Sequence, residues 1–167
     1  IGRVNLLKAA EERVLARQFE EGRYIAKVGA ENTSAEGRAP RSWVIITQFL
    51  IGVAKLEMLA YAVARYKGVP FDGSLSQLLV SPEMRDVLDG ELPEEMVNFL
   101  AEMINTEPDQ VKADVQKLSL DSRLLPSQII DALGCEPLLS ELPAIMEQDN
   151  YANAMESYEL VFLGHLQ

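Results

Sequence analysis

The fold of this chain is decided by the stretch RSWVIITQFLIGVAKLEMLAYAVARYK, residues 41–67. Apolar side chains occupy nearly every position around a helix of this sequence, and the polar exceptions Gln48, Gly52 and Lys55 form one narrow stripe. A helix that is apolar nearly all round belongs inside a bundle, where other helices cover it. Gly68 marks its end. The sequence therefore predicts a long central helix over residues 41–67.

Apolar residues recur at spacings of three and four along the rest of the chain, and no segment alternates strictly as a half-buried strand does. The chain is therefore predicted to be all-α, a helical bundle or array around the central helix. Ser81 is an expected N-cap, and Gly90 and Gly134 stand where left-handed C-caps belong. The other predicted helices cover residues 8–28, 75–80, 82–88, 94–104, 108–118, 127–133, 137–148 with a bend or split at Pro143, and 151–163 closed by Gly164.

Charge is distributed unevenly over the 167 residues. There are 15 Lys and Arg against 26 Asp and Glu, a net charge of −11. Residues 1–41 hold eight basic and six acidic side chains, net +2, whereas residues 42–167 hold seven basic and twenty acidic ones, net −13. The total charge repels nucleic acid and anionic membranes at long range.

Residues 29–40 have no helical periodicity and contain Gly37 and Pro40, which predicts a loop. We therefore expect a helical arm over residues 1–28, this loop, and an acidic all-helical body over residues 41–167. The chain begins with Ile rather than Met, and we expect it to be a portion of a longer protein.

The sequence lacks the residues that several classes of function require. Cys135 and His165 are the only cysteine and the only histidine, so an internal disulfide, a zinc site and a histidine-based catalytic site are not expected. The longest uncharged stretch, residues 42–54, has 13 residues, fewer than the roughly 20 that a membrane-spanning helix needs. We predict a cytoplasmic protein that is not an enzyme and has no cofactor, no metal, no small-molecule substrate and no membrane association.

Acidic residues are dense between positions 86 and 95, where Asp89 and Glu91 are two of five carboxylates. Their spacing is not that of a calcium loop, so a solvated surface is the expected role. The six methionines lie among apolar neighbours at helical spacing and are predicted to fill the core.

The segment IGRVNLLKAAEE, residues 1–12, continues through LARQFEEG to Gly22. It resembles region 1.2 of the bacterial primary (housekeeping) sigma factors, in which an Ile-Gly-x-Val-x-Leu-Leu-Thr segment leads into a helix that begins near a Glu-Glu pair. Lys8 stands where the family usually has a Thr that can cap the helix, and Lys cannot accept that hydrogen bond.

The resemblance implies a role in transcription initiation, in which the sigma factor binds RNA polymerase core enzyme and opens promoter DNA by trapping flipped bases of the non-template strand. By position in the motif, Leu6 and Glu12 are assigned to the pocket that receives the last base of the minus-ten element. A flipped base needs an apolar wall and hydrogen-bond partners for its edge. The contacts that this family makes with discriminator DNA precede Ile1, so this chain alone is expected to bind promoter DNA weakly.

Region 2 of the family, rich in aromatic and basic residues, has no counterpart before Gln167. The resemblance therefore implies that the acidic body is the variable insertion that some primary sigma factors carry between regions 1.2 and 2.

The arm also has structural interpretations that do not involve DNA. Leu6 and Leu7 can form a hydrophobic staple onto a helix that starts after them, and Glu12 can be a first-turn carboxylate that interacts with the helix dipole. Glu20 and Glu21 interleave with Arg13, Arg17 and Arg23 in a pattern typical of a solvated, ion-paired face, with phosphate contact as the alternative. For the whole chain, the alternative is a stand-alone acidic helical module for protein–protein interaction.

Overall fold

The computed structural model describes the backbone of Gly2–Gln167 and the side chains from Lys8 onward. Helices form all the regular structure of these residues apart from an isolated antiparallel bridge between Ser74 and Leu138, so the predicted all-α class is confirmed. The elements are α1 (Gly2–Glu31), α2 (Ser42–Lys55), α3 (Glu57–Lys67), α4 (Leu75–Val80), α5 (Pro82–Leu88), α6 (Glu94–Ile104), α7 (Pro108–Arg123), α8 (Ile129–Leu133), a 3-10 helix (Leu139–Glu141), α9 (Leu142–Met146), α10 (Tyr151–Glu156) and α11 (Glu159–Leu166).

The chain divides between Pro40 and Arg41 into two compact units, which we call the arm and the body. The arm consists of α1 and the turn after it. At the end of α1 the Asn32 side-chain amide donates to the Val28 carbonyl at 2.8 Å and the Thr33 hydroxyl donates to the Gly29 carbonyl at 3.0 Å. Side chains close in sequence therefore satisfy the last carbonyls of this helix.

The prediction of one central helix over residues 41–67 is wrong. The helix breaks at Leu56, and the axes of α2 and α3 meet at 59°. The bend lets each half bury its apolar surface on different neighbours, because α2 packs against α7, α9 and α11 while α3 packs against α5 and α6. Among the described residues no single helix is long and apolar enough to cross a membrane, and α2 and α3 reach that threshold only as a bent pair.

Other helix boundaries follow the predictions in part. The helices over residues 75–80, 82–88 and 94–104 have the predicted bounds, Ser81 caps α5 through the Met84 amide, and Gly134 has the left-handed conformation. Gly90 is not a left-handed C-cap, because α5 ends at Asp89 with φ −94°.

The last part of the chain is more broken than predicted. Pro143 lies in the first turn of α9, where an amide would have no acceptor within the helix, so proline costs no hydrogen bond there. The predicted helix over residues 137–148 therefore splits before Pro143. The predicted helix over residues 151–163 is two helices, and Gly164 lies inside α11 rather than after it.

The start of α2 is closed by a residue remote in sequence. Arg41 gives no side-chain cap, and the buried carboxylate of Glu159 on α11 instead accepts hydrogen bonds from the amides of Ser42 at 2.8 Å and Trp43 at 2.9 Å. A carboxylate at a helix N-terminus satisfies free amides and interacts favourably with the helix dipole. This contact joins the end of the body to its first helix.

A polar cluster joins α5 to α7. Arg85 forms two hydrogen bonds with Asp89, at 2.6 and 3.1 Å, and a third with the Ser122 hydroxyl at 2.7 Å. Asp89 also accepts from Ser119 at 2.7 Å and lies 3.5 Å from Arg123. The prediction that Asp89 belongs to a solvated acidic surface is therefore wrong.

Methionines occupy both the core and the surface. Met84, Met96 and Met155 are buried as predicted, but Met58 is 70% exposed and Met103 is 39% exposed. The prediction that the methionines fill the core is therefore correct for only some of them.

Candidate nucleic-acid interface

The arm exposes much of its helix. Val14, Leu15 and Phe19 expose 55%, 64% and 68% of their surface, and the Arg23 guanidinium lies 5.7 Å from the centroid of the Phe19 ring. Alanine, leucine, glutamate and arginine, which favour helices, make up most of α1. The helix can therefore form from local preference while leaving its side chains available to a partner.

The helix begins earlier than predicted, and this changes the interpretation of the motif. Because α1 starts at Gly2, Leu6 and Leu7 are helical residues and cannot be a staple that precedes the helix. Glu12 lies about three turns inside α1, beyond the first turn in which a carboxylate interacts with the dipole. Both structural interpretations are thus wrong. For the same reason Lys8 does not stand at the helix start.

The two residues assigned to the base pocket share one side of α1. Each residue turns a helix by about 100°, so positions 6 and 12 lie about 60° on either side of position 9, which is Ala9. Position 7 and Glu11 lie about 160° from Ala9, on the opposite side. The side chain of Leu6 lies outside the described residues, and that of Glu12 is exposed.

A basic residue continues this face. Arg13 is exposed and follows Ala9 by four residues, so it lies one turn further along the same side of α1. The described part of this face therefore carries a small residue, a carboxylate and a guanidinium, at Ala9, Glu12 and Arg13. Proteins hold a flipped base with an apolar wall and hydrogen-bond partners for its edge, and hold its phosphate with a cation.

The described residues contain no group of three or more His, Cys, Asp or Glu side chains that could hold a metal ion.

The sequence analysis missed two buried carboxylates in the body, that of Glu159, which closes α2, and that of Asp121. Asp121 on α7 is fully buried, bonded to Lys117 at 2.7 Å, and a Cβ on Gly52 would lie 1.9 Å from its Oδ2 atom. The signal was present, because Leu118, Leu124 and Leu125 lie three or four residues from Asp121, at helical spacing, and a lone glycine interrupts the apolar α2.

Comparison with known families finds a similarity in the arm. Residues 1–25 match the family model described as sigma-70 factor, region 1.2. The match supports a role in transcription initiation that is related to that of sigma factors. Members of this family associate with RNA polymerase core and are not enzymes. Searches of curated proteins and of solved structures gave no match.

Proposed function

We propose that the chain is part of a primary sigma factor, with α1 as region 1.2 and residues 41–167 as the insertion that precedes region 2. The match of residues 1–25 to region 1.2 is the observation that carries the proposal. The division of the chain after Pro40 is consistent with an insertion that folds on its own core.

In this proposal Leu6 and Glu12 receive the last base of the minus-ten element on the non-template strand. The position of Glu12 on the same side of α1 as Ala9 and Arg13 supports this role, because a carboxylate for the base edge and a guanidinium for its phosphate then lie beside a small residue. The net charge of +2 in residues 1–41 permits the arm to approach DNA that the acidic body repels.

The acidic body has a separate role in this proposal. With a net charge of −13 in residues 42–167, it contacts basic surfaces of the polymerase core and keeps nonproductive DNA away by repulsion.

The base-binding role can be tested with matched variants on opposite sides of α1. The 167-residue chain is mixed with RNA polymerase core and a fluorescent single strand that carries the non-template minus-ten sequence, and anisotropy reports its binding. Leu6→Ala and Glu12→Ala should each weaken binding of the strand about tenfold, the loss of roughly 1–2 kcal/mol that one base contact supplies. Leu7→Ala and Glu11→Ala should leave binding unchanged. Equal losses from all four variants would remove the pocket assignment.

Core binding is tested separately by a pull-down of RNA polymerase core with the tagged 167-residue chain. We expect retention at about 0.05 M salt and release at about 0.5 M, because contact between opposite charges is screened. No retention at low salt would contradict the role proposed for the body.

A further inference from the structure

An open groove runs between α2 and α9 in the body. It has a volume of about 440 Å³ and is lined by Thr47, Ile51, Ala54, Lys55, Pro143, Met146 and Glu147. Clefts of roughly 300–1,000 Å³ are large enough to hold a ligand or several side chains of a partner. The wall from α2 consists of positions separated by four and three residues, so it is one continuous face of that helix.

The surface of this groove is apolar. The Thr47 hydroxyl donates to the Trp43 carbonyl at 2.8 Å and lies 2.6 Å from the Tyr151 hydroxyl, so its hydrogen bonding is satisfied within the body. Ile51, Ala54 and Met146 are partly exposed. The helix that the sequence predicts to be covered on all sides therefore has one side that the body leaves open.

The charge next to α9 indicates what kind of partner covers the groove. Glu141, Glu147 and Asp149 are exposed at the two ends of α9, and we call these three carboxylates the acidic rim. Glu147 lines the groove, and Lys55 is the only basic residue in its lining. A second copy of this chain would bring like charges together, whereas a basic partner gains from the same field.

We infer that the α2–α9 groove binds a basic amphipathic helix of a partner protein, with the apolar stripe of that helix against Ile51 and Met146 and its Lys and Arg residues toward the acidic rim. An apolar stripe laid into a groove is a recurrent mode of helix recognition. The inference rests on the body alone, so it stands or falls independently of the base-binding role of α1.

The test uses the 167-residue chain and three labelled 18-residue peptides. The first is built of Leu and Lys with Leu at helical spacing, the second has the same composition in scrambled order, and the third has Glu in place of Lys. Anisotropy should show the first peptide bound at least tenfold more tightly than the other two. Equal binding of the first two peptides would mean attraction by charge alone and would overturn the inference.

A matched pair of variants locates the site. Met146→Glu adds a negative charge, which by itself would strengthen the general attraction of a cationic peptide. The new carboxylate would, however, lie against the apolar stripe of the peptide, so binding of the first peptide should weaken about tenfold. Met58→Glu makes the same change at a residue that is 70% exposed on α3 and outside the groove lining, and should not weaken binding.

Far-UV circular dichroism checks that both variants are folded. Binding that is unchanged or stronger in a folded Met146→Glu variant would overturn the inference, as would dimerisation of the unmodified chain that this variant abolishes. If Met146→Glu does not fold, the inference is tested by comparing how tightly the ordered and scrambled peptides bind the unmodified chain.

Discussion

The arm and the body both contain helices with large apolar side chains, but these side chains differ in how far they are buried. Phe19 on α1 is 68% exposed, whereas Phe49 on α2 is completely buried. In the arm, side chains close in sequence bond to the end of the helix, and in the body Glu159 closes the start of α2 from the other end of the chain. The arm is thus held by local interactions and the body by long-range ones.

Because of this difference, binding by the arm and folding of the body depend on different residues. The side chains of Glu12 and Arg13 on α1 are exposed, so they can be substituted without disturbing a core. Residues of the body stabilise one another, and the surface left for a partner is what their packing leaves open. Substitutions of the same kind in the two units should therefore have different effects.

The largest expected contrast is between two phenylalanines. Phe49→Ala should lower the free energy of unfolding of the body by about 3–5 kcal/mol, because it removes a fully buried ring and leaves a cavity. Phe19→Ala should change it by less than about 0.5 kcal/mol. Urea unfolding followed by fluorescence of Trp43, the only tryptophan, measures both. Similar losses from the two variants would contradict the distinction between the units.

Two glycines should respond with opposite signs. Gly52→Ala should destabilise the body by about 1–3 kcal/mol, since the new methyl group would overlap the buried Asp121 carboxylate. Gly22→Ala meets nothing within 4 Å, so it should favour the helical state of α1 by about 0.5–1 kcal/mol. Urea unfolding measures the first change, and circular dichroism at 222 nm the second. A neutral Gly52→Ala would show that α2 and α7 do not approach as described.

The smallest effect concerns an exposed ion pair of the body. Hydrogen bonding to Arg41, with a further hydrogen bond from Trp43, lowers the pKa of Glu156 below its ordinary 4.5. A lowered folded pKa contributes stability that is present above pH 4.5 and lost as the pH falls through the lowered value. The difference in Tm between the unmodified chain and Glu156→Gln should therefore be constant above about pH 5 and shrink below pH 4.5.

Salt provides the control for that measurement. High salt should reduce the difference in Tm at neutral pH, because the pair is exposed and screened. A difference that grows as the pH falls would contradict the stated direction of the pKa shift.

The sequence predicted features that depend on nearby residues. The bounds of α4, α5 and α6 follow from apolar spacing, Ser81 and prolines at helix starts, all of which act within one or two turns. Leu56 carries no such signal, because neither Gly nor Pro marks the break between α2 and α3. Asp89 was misassigned because its contact with Arg123 depends on how α5 meets α7.

The residues assigned to the candidate interface stay a prediction, whereas the helix that carries them is a finding of the structure. Leu6 and Glu12 were named from the motif, and the match of residues 1–25 supports that motif. The uninterrupted helix from Gly2 is what brings positions 6, 9 and 12 to one side of α1.

By itself, the sequence determined the helical class, the resemblance of the arm to region 1.2 and the separation of charge between arm and body. Periodicity, helix preference and charge are properties of neighbouring residues, so they can be recognised without a structure. Tertiary structure alone decided the bend at Leu56, the closure of α2 by Glu159 and the groove beside Ile51. Each of these depends on which distant elements meet, because burial is shared between surfaces that the chain order does not place together.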